Sequence, residues 1–332
     1  MLPIADTTVV EATWIMIVKS IVIFAVIFGI LPVLTVVERK LIGRFQHRYG
    51  PNRVGPFGLL QPLADVGKLI SKEGFRPGAA IPALFILGPL LPVVSGVLAL
   101  AIIPWGDVKD GVGFYGIDVP IGVLYFFAVG SIAFYGLVLG GWSSGSKYSL
   151  LGAMRSAAQL ISYEVSMGLA LLGVIMMTGS LSLVDAVNAQ GDVWFIIPQF
   201  LGFLIFMLAG FAETNRTPFD MPEADAELVQ GFMTEYGGMR FGSFLLVEYM
   251  EILVVSGIAA AMFLGGWMGP GPGWLDPIWM LAKMIGLVLV FIWVRATLPR
   301  LRYDQLMTLG WKILLPLATL NVLVTAVLVV VL

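Results

Sequence analysis

The chain has no cysteine, one histidine (His47) and only 12% charged residues among its 332. Without thiolates it can form no disulfide, thiolate-held iron–sulfur cluster or cysteine-based zinc site, and a lone imidazole builds no haem or metal centre by itself. The shortage of charge is as informative, since soluble domains carry about 25% Asp, Glu, Lys and Arg. No stretch outside the apolar runs is long enough to bury a core of its own. The N-terminal MLPIADTTVVEATW is acidic and lacks a small-residue cleavage site before its apolar run, so no removable signal peptide is expected.

What is abundant is apolar: 59% hydrophobic residues and a mean hydropathy of +0.95. Eight runs can each cross about 30 Å of hydrocarbon as a helix. They are expected at 12–37, 80–104, 119–141, 157–178, 194–212, 241–265, 275–295 and 312–332. The expected fold is therefore an all-α membrane protein, a single polytopic domain over 1–332 with eight transmembrane helices. Cations are segregated along it. The first connection, 38–79, holds Arg39, Lys40, Arg44, Arg48, Arg53, Lys68, Lys72 and Arg76; the third adds Lys147 and Arg155, the fifth Arg216 and Arg240, the seventh Arg300 and Arg302. Arg295 and Lys312 stand at helix ends, and the even connections with both tails supply only Lys109. By the positive-inside bias the odd connections are cytoplasmic and both termini periplasmic.

In the first cytoplasmic loop, residues 57–73 alternate two faces, Gln61, Asp65, Lys68 and Lys72 against Leu59, Leu63, Val66 and Ile70. That spacing predicts an amphipathic helix in the interface plane. The preceding RYGPNRVGPFG, rich in Gly and Pro, reads as a shaped loop. Gly136 and Gly140 form a GxxxG in the third run, a pattern that permits close helix contact.

The segment Glu213–Glu235, ETNRTPFDMPEADAELVQGFMTE, is the strongest functional signal, with six carboxylates (Glu213, Asp220, Glu223, Asp225, Glu227, Glu235) against one base, Arg216. It forms the core of an acidic cytoplasmic loop, 213–240. Asp220 and Glu223 also have the spacing of a helix N-cap and its box partner, with Pro222 in the first turn. Ionisable groups inside spans are costly, about 2.5–3.5 kcal/mol at a helix centre, and so face cavities or partners. Lys19 and Lys283 are long enough to snorkel and are read as structural. Glu164, seven residues into its run, and Glu248 and Glu251, seven and ten into theirs, are expected at similar depth, with Glu213 beside them. Tyr163 and Tyr249 adjoin two of these acids and could supply hydroxyls. Together they predict a polar, hydrated track from the cytoplasmic surface to mid-membrane.

ERKLIGRFQHRYGPNRVGPFGLLQPLADVGKL (38–69), GWSSGSKYSLLGAMRSAAQLISYEVSMGLAL (141–171) and ETNRTPFDMPEADAELVQGFMTEY (213–236) resemble one family. It is the H subunit of the bacterial proton-pumping NADH:quinone oxidoreductase, counterpart of the first mitochondrially encoded subunit of respiratory complex I. The likeness runs from about residue 14 to 312. It implies a multi-pass subunit of the bacterial inner membrane, the heel of an L-shaped translocase, with no redox centre of its own. Flavin and iron–sulfur clusters are implied in partner subunits, with a quinone such as ubiquinone or menaquinone as substrate. The implied partners are peripheral quinone-module subunits, antiporter-like membrane subunits and lipid; nucleic acid is not among them.

By the same resemblance, Glu38, Arg39, Arg48 and Asp65, with Arg216 of the acidic loop, match chamber and entrance residues. Glu213, Asp220, Glu223, Asp225 and Glu227 match the acidic loop, and Glu164, Glu235, Glu248 and Glu251 join the buried proton relay. Asp225 stands where relatives often have glutamate, Arg240 replaces a frequent lysine, and the third run has no carboxylate, so no acid relay through it is expected. Two other readings stand beside this one. The heel component of a membrane-bound hydrogenase or another cofactor-driven oxidoreductase would be told apart by its copurifying peripheral subunits. A secondary transporter or channel would carry ions alone in liposomes, although the paired repeats and broken helices of many transporters are absent from this sequence.

Overall fold

The computed structural model describes residues 13–109, 112–222 and 228–331. Its helices are α1 (Thr13–Phe45), α2 (Gln61–Ser71), α3 (Pro82–Ala101), α4 (Gly122–Ser143), α5 (Lys147–Thr178), α6 (Leu183–Asn188), α7 (Phe200–Glu213), α8 (Met239–Phe263), α9 (Asp276–Thr297), α10 (Tyr303–Thr308) and α11 (Leu315–Val331). Among the described residues seven helices, with α10 and α11 counted as one, are long and apolar enough to cross a membrane. The run expected at 194–212 yields a shorter helix, α7, of 14 residues, because Phe195–Gln199 form a turn before it.

Three further differences have local causes. α1 continues eight residues beyond 37, which places Glu38 inside a helix rather than in a loop. α5 starts ten residues before 157, since its first three turns are polar but keep good helix formers. A small antiparallel hairpin, β1 (Pro104–Lys109) with β2 (Val112–Tyr115), interrupts the all-helical expectation between α3 and α4. A π-turn at Leu309–Leu314 precedes Pro316, whose missing N–H cannot close a regular helical turn.

Helix ends are tied together in two groups. At one end Ile81 N–H donates to Ser143 O (3.0 Å) and Leu301 N–H to Pro218 O (3.1 Å), which gathers the cation-rich connections. At the far end Val123 N–H donates to Leu181 O (3.0 Å) and Ile196 N–H to Phe263 O (2.8 Å). Lys19 Nζ bonds Gly113 O (3.1 Å), and Lys283 Nζ bonds Gly266 O and Met268 O (2.8 and 2.7 Å), also at the far end. Tight packing of α3 on α4 uses the small residues of the GxxxG. A Cβ on Gly88 would lie 2.8 Å from Gly140 Cα, and one on Gly136 would lie 2.8 Å from Gly88 O. Large apolar side chains point outward along the long helices, among them Phe28, Leu90, Trp293 and Leu323. Such an outer surface suits lipid rather than water.

A buried ion chain and a line of acid cavities

At the basic end the turn after α7 folds back over the bundle. Asn215 takes a left-handed conformation (φ 51°), the Thr217–Pro218 bond is cis, and Phe219 N–H closes onto Arg216 O (2.8 Å). The turn carries Arg216 inward, where 3% of it is exposed. Its Nη1 donates to Glu38 Oε1 of α1 at 2.7 Å, its Nε is ion-paired with Glu248 of α8, and its guanidinium lies 4.5 Å from the centre of the Tyr249 ring. Glu38 in turn receives Arg295 of α9. The result is an alternating chain, Arg295, Glu38, Arg216, Glu248. Burial alone would ease a proton off Arg216, but the negative charges of Glu248 and Glu38 outweigh it and hold its pKa above the ordinary arginine value. Buried charges persist only when paired in this way.

Next to the ion chain lies an apolar crevice of about 300 Å³ between α1, α2, α8 and α9, with Leu63, Val66 and Leu246 on its walls. Arg39 and Asp65 flank it, joined at 2.6 Å, and Gln61 Nε2 donates to the other Asp65 oxygen at 2.9 Å. Burial raises the Asp65 pKa, but the Gln61 and Arg39 bonds win and hold it below the usual carboxylate range. α2 presents Leu63 and Ile70 bare on its outer face, 68% and 66% exposed. Arg48 is elsewhere: its Nε donates to Gln46 Oε1 (2.8 Å), and it lines an open basic pocket with Lys40, Arg44 and His47. That pocket is shaped by close backbone approach, since a Cβ on Gly50 would lie 2.8 Å from Lys40 Cα.

Behind Glu248 the acids follow one another through small voids. Glu248 and Glu251 share a cavity of about 30 Å³, and Glu251 shares a second, of about 50 Å³, with Glu213 and Glu164. Voids of that size in polar surroundings accommodate water. Ser131 of α4 donates to Phe127 O (3.0 Å) and lies 3.3 Å from Glu164 Oε1. So α4 contributes a hydroxyl where a carboxylate is lacking. Glu164 reaches this depth although it stands well inside the lengthened α5 rather than seven residues from its start.

Tyr163 does not join the acids. Its hydroxyl donates to Leu306 O (2.9 Å) and its ring packs against Phe219, because it lies on the opposite side of α5 from the cavity. Asp220 stays in the turn and Glu235 is half-buried in the segment before α8, and neither lines the two acid cavities. Glu223, Asp225 and Glu227 lie outside the described residues, as does the expected box between Asp220 and Glu223. Three groups of the site carry no sequence signal as such. Arg295 reads as an ordinary helix-end cation, Ser131 as an ordinary span hydroxyl, and Gln159 of α5 as one polar residue among several. Gln159 is fully buried, and an uncharged amide in a membrane helix is the one local mark it offers.

Comparison with known proteins points to one family. The profile of the family described as NADH dehydrogenase matches residues 18–326. A Geobacter metallireducens protein, the first of two H subunits of NADH-quinone oxidoreductase by its name, is 52% identical over 315 residues, which cover 92% of this chain and 94% of the relative. The second H subunit of Geobacter sulfurreducens is 53% identical over 312 residues (92% and 94%), and the second of Syntrophobacter fumaroxidans 50% over 319 (94% and 95%).

Proposed function

The chain belongs to the NADH dehydrogenase family, as a multi-pass bacterial inner-membrane homologue of the NADH-quinone oxidoreductase H subunit, and from that premise we propose that it couples quinone reduction to proton translocation as the heel of that complex. Its basic end faces the cytoplasm beneath the peripheral subunits that carry flavin and iron–sulfur clusters, and α2 lies in the membrane interface. α7 with its preceding turn is an eighth crossing, since Ile196 is bonded to Phe263 at one end of α8 and Arg216 is paired with Glu248 near the other. Eight crossings return both termini to the periplasmic side.

In this reading the apolar crevice admits the quinone tail past Arg39 and Asp65, and the chamber closes over the ion chain and the acidic turn. Reduction of the quinone head adds negative charge near Arg216, and the acids answer by taking up or passing protons. The acidic loop, with Asp220, Glu223, Asp225, Glu227 and Glu235, is the junction with the chamber, and antiporter-like subunits receive the energy laterally.

One observation carries the reading. Glu248 lines both the crevice and the first acid cavity, Glu251 lines both acid cavities, and the second holds Glu213 and Glu164. Each acid thus borders the next void, from an entrance fit for an isoprenoid to mid-bundle. In the assembled complex, Glu164→Gln should suppress quinone-coupled proton uptake while NADH oxidation with an artificial acceptor persists. Undiminished pumping in that variant would sink the relay.

A further inference from the structure

The turn that places Glu213 and Arg216 is fastened to the bundle by one side chain outside it. Gln159 of α5 is fully buried, and its Nε2 lies 2.6 Å from Ala212 O, 2.8 Å from Phe219 O and 3.3 Å from Asn215 Oδ1. Ala212 immediately precedes Glu213, and Phe219 stands three residues beyond Arg216. A single amide therefore grips both ends of the segment that holds the two charged groups. The bonds made inside the segment do not replace that grip. Thr214 N–H to Gly210 O, Asn215 N–H to Ala212 O and Phe219 N–H to Arg216 O shape its two halves, but none of them reaches α5.

We propose that Gln159 is the positioning residue of the coupling site: it clamps the turn to α5 so that Glu213 faces Glu164 in the acid cavity while Arg216 reaches Glu38 and Glu248. The proposal rests on the coupling function given above. The chemistry requires an amide at this place. Two carbonyl oxygens call for a donor group with two hydrogens, which an amide NH₂ supplies without charge. A leucine of similar bulk would leave both carbonyls without this partner, and a lysine would add a charge beside Arg216. Since Gln159 and Glu164 share α5, the helix that presents one partner of the acid cavity also fixes the other.

The chain has no cysteine, which gives a clean probe of the turn. In the whole complex, Thr217→Cys is labelled with a membrane-impermeant maleimide, and the rate on this chain is compared with and without Gln159→Leu. The clamp predicts at least fivefold faster labelling in the Leu background. The isosteric Gln159→Glu, which as a neutral acid keeps one donor, should give an intermediate rate and serves alone if the Leu variant does not assemble. Equal labelling in the variant that assembles would overturn the clamp.

Coupling is then read as protons taken up per quinone reduced. Gln159→Leu should lower that ratio several-fold, and adding it to Glu213→Gln should lower it no further. Independent, multiplicative losses would show that Gln159 acts on the fold and not through the site. If labelling rises but Glu213→Gln pumps normally, the coupling function fails and the clamp stands.

Discussion

The two ends of α7 are both secured by buried glutamines, yet they are finished differently. At the far end Gln190 uses its whole amide. Nε2 donates to Ala186 O (2.9 Å) and Ala261 O (2.7 Å), while Oε1 accepts from Phe195 N–H (3.2 Å) and Gly265 N–H (2.9 Å). Gln199 is likewise engaged on both sides, by Thr325 (2.7 Å) and Asn321 (2.8 Å) of α11. At the basic end Gln159 donates, but its Oε1 has no donor, and neither Glu213 Oε2, Glu38 Oε2 nor Arg216 Nη2 has a hydrogen-bond partner among the described residues. An orphaned buried polar group costs about 1–3 kcal/mol. A bundle able to satisfy Gln190 completely could have done the same for its other end. Groups left short of partners there are those that must accept or release protons and ligands.

The largest effect that would break this contrast is expected at Arg216. Arg216→Leu leaves Glu38 and Glu248 buried beside one remaining cation, a loss of about 3–5 kcal/mol. Thermal unfolding of the purified complex should show a clear fall, with quinone reductase activity lost. Arg216→Lys should lie between, since an ammonium cannot span two carboxylates as a guanidinium does. Gln190→Leu should cost about 1–3 kcal/mol for each backbone group it orphans. It should lower the unfolding temperature while leaving protons per quinone unchanged, which separates scaffold from site.

Smaller effects sharpen the boundary. Ser131→Ala removes one weak bond to Glu164, about 0.5–1.5 kcal/mol, so the pumping rate should change by less than about tenfold. Arg39→Ala breaks an exposed pair with Asp65 worth about 0.2–1 kcal/mol. Because the folded Asp65 pKa is depressed, its contribution is full above about pH 4 and is lost only as pH falls through the lower folded value. Thermal stability of wild type relative to Asp65→Asn should therefore be flat from about pH 5 to 8 and converge below it.

Hydropathy located the long helices because lipid imposes one length and one polarity on them. It misjudged their polar extensions, as at Lys147–Arg155 and Glu38–Phe45, where protein and not lipid surrounds the helix. The pair Glu38–Arg216 joins residues 178 positions apart, and Glu38–Arg295 joins residues 257 apart, so periodicity could not foresee either. Glu164, Glu213, Glu248 and Glu251 could be singled out because carboxylates in apolar runs are rare. Tyr163 misled because adjacency in a helix places neighbours about 100° apart, which sends its hydroxyl to Leu306 O instead of to the acids.

The contrast between the two ends is tested most directly by one ratio, protons taken up per quinone reduced, measured in proteoliposomes for the complex carrying Glu213→Gln and for the complex carrying Gln190→Leu. The ratio should collapse in the first, with electron flow to an artificial acceptor intact, and stay at the wild-type value in the second. An unchanged ratio in Glu213→Gln, or a collapse in both, would contradict a coupling site confined to the basic end.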